Sequence, residues 1–462
     1  MLRLRSSVVL SIALCAIAQG CSDDPAPAAD TGVTDTGVDA VTDTGAADTG
    51  RVDTGPTDIG VDSGPADTGV DSGPPNDVVD AALDARPDAG PTDAGPGCAI
   101  ARALVTTSDF ASGGYALGSI TPPALMTVGG MAPDQDHVPV QSGCVVYNLL
   151  RGNDALAVLD PSALPTALRT IPLRSMLSTD AGATPYQVNP YDALTLSPTR
   201  AYVAQLALSR VAIINPTING AAAITGSIDL APLRAAADTD PSGSPEAIGL
   251  FRAGSRVFVL LQNLSSFAPV ADGVLGVIDP STDALVDVDP MTAGTQGVGL
   301  GVRNPASATL TPSGARIVVA ASGVVAFSPP QTLDGAIVAV DPSGMRLLSG
   351  RVTEAQLGGD VSGVVMHSDT AGWALVNTLD ADGGAPSARV VAFDLAASTV
   401  GATVYSSAAI GGVARAPDGN VWVLDRGAST AGVRVFRPDG TQITTAALST
   451  GALPPTGIAF VP

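Results

Sequence analysis

A unit of two short strands around a turn returns about every 45–65 residues along this chain, often closing on a hydrophobic residue, then Asp or Asn, then Pro. The closings read Val158-Leu159-Asp160-Pro161, Ile213-Ile214-Asn215-Pro216, Val277-Ile278-Asp279-Pro280 and Ala339-Val340-Asp341-Pro342. Degraded copies follow at Ala392-Phe393-Asp394-Leu395 and Val435-Phe436-Arg437-Pro438. A fixed period of this size means a repeat architecture. An Asp ahead of Pro caps a turn with its own side chain, so Asp160, Asp279 and Asp341 need no further role.

The front half of each unit is a pair of apolar runs joined by a tight turn. Leu194-Thr195-Leu196 passes through Ser197-Pro198-Thr199-Arg200 to Ala201-Tyr202-Val203. Ala308-Thr309-Leu310 leads through Thr311-Pro312-Ser313-Gly314 to Ile317-Val318-Val319. Gly363-Val364-Val365-Met366 leads past His367 to Trp373-Ala374-Leu375-Val376, which makes His367 a turn residue. Pro and Gly set the turns, while β-branched and aromatic residues fill the strands.

Radially repeated four-stranded antiparallel sheets make a β-propeller. The expected fold is all-β, a seven-bladed β-propeller with strands A to D running from the axis outward in each blade. Strands A are expected near His137, Asp192, Glu246, Ala306, Val361 and Ala409. The remaining blade is expected to be split. Gly457-Ile458-Ala459-Phe460-Val461 reads as its strand A, and Ala101–Val105, Tyr115–Ile120 and Leu125–Val128 as its B, C and D. The C-terminal strand would close the ring and cover an edge that would otherwise template aggregation. The weakly patterned stretch 118–145 leaves six or eight blades open.

Met1–Gly20 reads as an export signal: Arg3 and Arg5, then the apolar run Ser6–Ile17, which is too short to span a bilayer. Ala18-Gln19-Gly20-Cys21 resembles a lipobox, which implies acylation of Cys21, and Ser22 after it implies sorting to the outer membrane. Residues 21–97 carry repeated Asp-Thr-Gly, as at Asp30-Thr31-Gly32 and Asp53-Thr54-Gly55, and have no aromatic residue. Such a stretch cannot offset chain entropy by burial, so it is expected to be a disordered, self-repelling linker spanning some 50 Å or more. Cys98–Pro462 is left for the propeller. Once Cys15 leaves with the signal and Cys21 is acylated, Cys98 and Cys144 remain, and in an exported domain they are expected to pair.

Absences narrow the chemistry. The chain has no Lys, so it has neither a Schiff-base lysine nor a phosphate-loop lysine. Its two His cannot build a multi-His metal site, and it carries no Gly-x-Ser-x-Gly elbow. A net charge of −22 argues against nucleic acid as a partner. The polar residues at the expected starts of strands A are His137, Asn189, Asp192, Glu246, Asn304 and Asp360. In a propeller these starts converge on one mouth of the central channel. Their carboxylate and amide oxygens form a candidate ligand site, and Ca²⁺ is the ion such hard ligands would take.

With the Asp-Pro strand ends, Ala201-Tyr202-Val203-Ala204 and Val145-Val146-Tyr147-Asn148 resemble the repeats of YVTN-type propellers, exported bacterial proteins. That resemblance implies a cell-envelope location and no particular reaction. The mouth residues, together with Pro417-Asp418-Gly419-Asn420-Val421-Trp422, resemble lactonase-type propellers, which implies a metal that activates water or polarises an ester carbonyl. The leading expectation is a monomeric outer-membrane lipoprotein. It would be anchored by its lipid and present a non-enzymatic binding module to an envelope protein, a glycan or a small ligand. The alternative is a metal-dependent lactonase-like hydrolase using the mouth carboxylates.

Overall fold

Strands such as Ala201-Tyr202-Val203-Ala204 are apolar at every position because each face meets a different neighbour. Ala201 and Val203 pack toward the preceding sheet, and Tyr202 and Ala204 toward the following one. Seven apolar clusters repeat this arrangement, one between each adjacent pair of sheets. Burying a single Val or Ile side chain contributes roughly 1.5–3 kcal/mol, so this inter-blade packing dominates the stability.

The structure, a computed structural model, describes residues 98–129, 131–176, 188–240, 242–326, 328–379 and 387–462. The expected signal peptide, Cys21 and the Asp-rich linker lie outside the described residues. The fold is a seven-bladed β-propeller. Blade 1 takes strand A from the C-terminus, Pro455–Val461, and then Arg102–Ser108, Gly113–Ser119 and Met126–Val128 as B, C and D. Blade 2 is His137–Ser142, Val145–Leu150, Ala155–Leu159 and Ala167–Pro172. Blade 3 is Pro190–Ser197, Arg200–Gln205, Arg210–Ile214 and Ile224–Asp229. Blade 4 is Ala247–Ala253, Arg256–Leu261, Asp272–Asp279 and Ala284–Val286. Blade 5 is Pro305–Leu310, Ile317–Ala321, Ala336–Asp341 and Arg346–Thr353. Blade 6 is Asp360–Met366, Ala371–Thr378, Ser387–Asp394 and Thr399–Ser407, and blade 7 opens with Ile410–Arg415, Val421–Asp425 and Gly432–Phe436. Each strand A touches the next around the full circle, blade 7 to blade 1 included.

The split blade closes as the sequence predicts. Arg102 pairs with Val461 and Val105 with Ile458, antiparallel, and Arg102 Nε donates to the Pro462 carbonyl at 2.7 Å. Cys98 and Cys144 form a disulfide, with Cα atoms 5.6 Å apart, that ties the start of the domain to the turn before strand B of blade 2. Two blades depart from the four-strand pattern. Strand D of blade 4 spans only Ala284–Val286, and Val298–Arg303 pairs with the rest of strand C. In blade 7 the outer position is held by single bridges, Phe436 with Gln442 and Val433 with Leu448. The sequence reason is visible there: Pro438-Asp439-Gly440 turns the chain away directly after strand C.

Candidate functional site

One end of the ring carries the starts of strands A, and a recurring backbone bond builds it. The first residue past strand B donates its N–H to the carbonyl just before strand A. Arg151 so bonds Asp136 at 2.9 Å, Leu206 bonds Asn189 at 3.0 Å, Gln262 bonds Glu246 at 3.2 Å, Ser322 bonds Asn304 at 3.0 Å and Arg426 bonds Ala409 at 2.9 Å. Asn189, Glu246 and Asn304 therefore hold the same position in successive blades, with φ of 50°, 53° and 50°. Asn tolerates this left-handed backbone, whereas Glu adopts it uncommonly.

Several side chains at this end bond neighbouring backbone. Asn304 Nδ2 donates to the Gly323 carbonyl at 3.1 Å, and its Oδ1 accepts from Gln262 Nε2 at 3.0 Å. Asn189 N–H donates to Asp154 Oδ1 at 2.9 Å, while Asn189 Oδ1 is buried without a hydrogen-bond partner. Glu246 Oε2 accepts the Leu264 N–H at 2.8 Å. Burial pushes the Glu246 carboxyl up to about 8, the Leu264 bond opposes this, and the charges of Asp238 and Asp240 add to the rise. Asp192 accepts the Ala193 N–H through Oδ1 and the Leu250 N–H of blade 4 through Oδ2, both at 2.8 Å. It thereby joins two strands A, and burial pushes it up to about 6 against those bonds.

His137 begins strand A of blade 2 and is 1% exposed. Its Nε2 lies 3.4 Å from the Thr107 carbonyl, its Nδ1 lies 3.3 Å from Asn148 Nδ2, and its ring meets Tyr115 edge-on. Burial holds its pKa below the ordinary value, and a neutral ring protonated at Nε2 satisfies both partners. His137 is thus a seam between blades 1 and 2. His367 closes the A–B turn of blade 6, as its place in the repeat predicts, through its N–H to the Ala371 carbonyl at 2.9 Å.

Asp360 begins strand A of blade 6. Its Oδ1 is buried without a hydrogen-bond partner, and burial pushes the carboxyl up to about 6. Beside it stands Glu354, fully buried in a short helical turn, Glu354–Leu357. Glu354 Oε1 accepts the Val361 N–H at 2.7 Å, and Oε2 accepts the Gly335 N–H at 2.8 Å. Burial pushes it up to about 8. A Cβ on Gly335 would sit 2.1 Å from the Ala321 carbonyl oxygen and 2.6 Å from Glu354 Cδ, so glycine is what admits this carboxyl.

Among the described residues no three His, Cys, Asp or Glu side chains gather where one metal ion could be held. His137, Asp192, Glu246 and Asp360 do not form such a group: His137 and Asp192 contact neighbouring blades, Glu246 bonds Leu264 of its own blade, and Asp360 Oδ1 has no hydrogen-bond partner. These carboxylates therefore do not converge as the acidic ligands of a single Ca²⁺ ion would.

What the structure does bring together is a cavity of about 280 Å³ between strands A of blades 5, 6 and 7. Ser307, Ser362, Asn377 and Arg426 supply its polar wall, and Ile410 and Val413 part of its apolar wall. None of these was a candidate in the sequence. The available signals were small residues in aligned strands A, such as Ser362-Gly363 and Gly411-Gly412, and an Arg directly after strand B of blade 7.

The ring, its seams and this cavity, whose lining includes none of the six anticipated mouth residues, define a propeller-class protein. No protein-family model matches the chain. No curated protein matches it. Among solved structures, a candidate 6-phosphogluconolactonase from Bacteroides uniformis matches with TM-score 0.51 and 14% identity, over 78% of this chain and 99% of that one. A counterpart from Bacteroides fragilis matches at 0.48 and 12%, over 78% and 98%. A functionally unknown protein from Desulfotomaculum acetoxidans matches at 0.48 and 13%, over 78% and 99%. At these identities the likeness is one of fold.

Proposed function

We propose that this chain is an exported lipoprotein whose propeller serves as a non-enzymatic binding module, held off the outer membrane by its acidic linker. One observation carries the choice of binding over catalysis. Three carboxylates at the mouth are occupied as acceptors of backbone N–H groups: Glu354 on Gly335 and Val361, Asp192 on Ala193 and Leu250, and Glu246 on Leu264. A general base or a metal ligand needs lone pairs that face a substrate. The Gly20-Cys21 junction, the Asp-Thr-Gly linker, the YVTN-like strand ends and the Cys98–Cys144 disulfide support an envelope location. Acyl chains in pairs give stable anchoring where a single chain does not.

Three measurements test the proposal. Metabolic labelling with a fatty-acid analogue should mark the wild-type protein and not Cys21→Ser; label that persists in the variant removes the anchor. Capture from envelope extracts should recover a partner on the propeller, and the purified protein should leave a panel of lactones intact. The fold likeness to a candidate 6-phosphogluconolactonase makes lactone opening the informative failure. Turnover that survives chelator would point to an enzyme working without the anticipated metal.

A further inference from the structure

We propose that Asp238-Thr239-Asp240-Pro241-Ser242-Gly243, in the connection between blades 3 and 4, is a calcium-type loop whose cation place is held by the guanidinium of Arg234. The spacing is that of the first half of a calcium loop, with oxygen-bearing side chains at the first, third and fifth positions and glycine at the sixth for the sharp turn. Gly243 takes that turn with a φ of 64°. The second half departs from the pattern. Its twelfth position, which would hold a bidentate Glu, is Gly249 of strand A in blade 4. Glu246, nearer in sequence, already accepts the Leu264 N–H at 2.8 Å.

The oxygens of the loop converge on Arg234. Its Nε donates to Asp238 Oδ2 at 2.6 Å, and its Nη2 donates to the Asp238 carbonyl at 3.0 Å and the Asp240 carbonyl at 2.8 Å. Carboxylate and backbone carbonyl oxygens are also what Ca²⁺ takes, at ~2.3–2.6 Å. The Asp238 side chain is fully buried. Burial pushes its carboxyl up, but the Arg234 bond and charge, the Asp240 N–H and the Ser265 hydroxyl hold it below the ordinary value. The other carboxylate oxygens organise the loop: Asp238 Oδ1 accepts the Asp240 N–H and Asp240 Oδ1 accepts the Ser242 N–H, both at 2.8 Å. The loop in turn props the small hairpin of Leu264–Ser265 and Ala268–Pro269 in blade 4. Asp240 Oδ2 accepts the Ser266 N–H at 3.3 Å, and Ser265 Oγ accepts the Thr239 N–H at 3.3 Å. The hairpin tip carries Phe267, 54% exposed. A guanidinium tethered four residues from Asp238 holds this support whatever the free calcium concentration, which a dissociable ion would not.

The test uses thermal melts of the full mature chain in chelator and in about 10 mM calcium, above the roughly 0.1–1 mM at which extracellular calcium modules bind. Wild type should melt alike in both. Arg234→Met keeps the aliphatic stem, removes the cation and leaves the Asp238 carboxylate buried without its partner. In chelator it should melt at least about 3 °C below wild type. Calcium should restore most of that shift, and magnesium less, because Mg²⁺ dehydrates reluctantly and demands a tighter octahedron. The double variant Arg234→Met/Asp238→Asn strands no charge, so it should melt above Arg234→Met in chelator and ignore calcium. Three results would each overturn the proposal. The first is Arg234→Met melting like wild type in chelator. The second is Arg234→Met regaining nothing from calcium, whether it melts low or fails to fold in both buffers. The third is wild type or the double variant gaining as much from calcium as Arg234→Met does, which would place any bound ion elsewhere.

Discussion

The C–D turns at one end of the blades and the starts of strands A at the other use the same functional group in opposite surroundings. At the turns, Asp160 Oδ1 accepts the Ser162 N–H at 2.9 Å and the Ser162 hydroxyl at 2.7 Å. Asp279 does the same with Ser281 at 2.9 and 2.6 Å, and Asp341 with Ser343 at 3.0 and 2.7 Å. These carboxylates face solvent, and the serine bonds draw their pKa values down, for Asp279 to about 2 with Arg256 adding to the effect. At the mouth, Glu246 and Glu354 also accept backbone N–H bonds, yet both are pushed up to about 8. Donors alone therefore do not set the sign; burial does, once desolvation outweighs them. The two groups are both structural, but one is held charged and the other is held close to neutral.

The largest way to break this comparison is to remove a buried acceptor. Glu354→Ala strands the N–H groups of Gly335 and Val361 in the interior, and each unsatisfied donor costs about 1–3 kcal/mol. Denaturant titration should show a loss of roughly 2–5 kcal/mol. A variant that unfolds at the wild-type midpoint would mean that Glu354 is not a support of the ring.

A second effect is a stability profile with two limbs. Glu246 and Glu354 rise to about 8 in the folded state from an ordinary 4.5, so the folded chain holds protons that the unfolded chain has released. Their stabilisation is fully present below about pH 4.5 and is lost as pH climbs through 8. Asp192 and Asp360, raised to about 6, lose theirs earlier on the same limb. The turn aspartates act oppositely: their contribution is present above an ordinary 3.8 and is lost as pH falls below it. Melting temperature should therefore peak in mildly acidic buffer. Glu354→Gln should flatten the alkaline limb and leave the acidic one alone. A profile that rises steadily from pH 5 to 8 would contradict the buried, protonated state of these carboxyls.

The two regions were unequally legible in the sequence. The turns could be read almost completely, because an Asx turn is local: Asp160-Pro161-Ser162 contains the acceptor, the φ restraint and the donor within three residues. Blade count, strand A positions and C-terminal closure followed from the same repetition, since each blade meets its neighbour through the same apolar pattern. Asn189, Glu246 and Asn304 share one position in successive blades, as the repeat implies, but the bonds their end of the ring makes were not legible. Whether Asp192 coordinates an ion or bonds Leu250 of the next blade depends on contacts 58 residues apart, which no local spacing encodes. The cavity escaped notice for the same reason. It exists because three strands A carry small residues at one level, and its cation comes from a loop that follows strand B of blade 7.

Smaller effects are expected at the turns. Asp341→Ala removes a bond to the Ser343 N–H and a bond to the Gly344 N–H, both donors that water can reach. It should cost about 0.5–1.5 kcal/mol, well under the loss expected for Glu354→Ala. Equal losses at the two positions would erase the distinction that burial draws between them.

Asp341→Asn should have the smallest effect, and it isolates the charge. Blade 3 already carries this substitution: Asn215 Oδ1 accepts the Thr217 N–H at 3.0 Å and the Thr217 hydroxyl at 2.7 Å, the geometry its aspartate counterparts use. An amide oxygen thus suffices for the turn, and the charge adds only its surface contact with Arg346, of the kind worth little in water. At neutral pH the variant should melt within about 0.5 kcal/mol of wild type. In acid it should lose less than wild type does, because one of the groups whose protonation weakens the fold is gone. A loss at neutral pH as large as that of Asp341→Ala would mean that the turn depends on charge, and that the Asn215 turn is held by something other than its side chain.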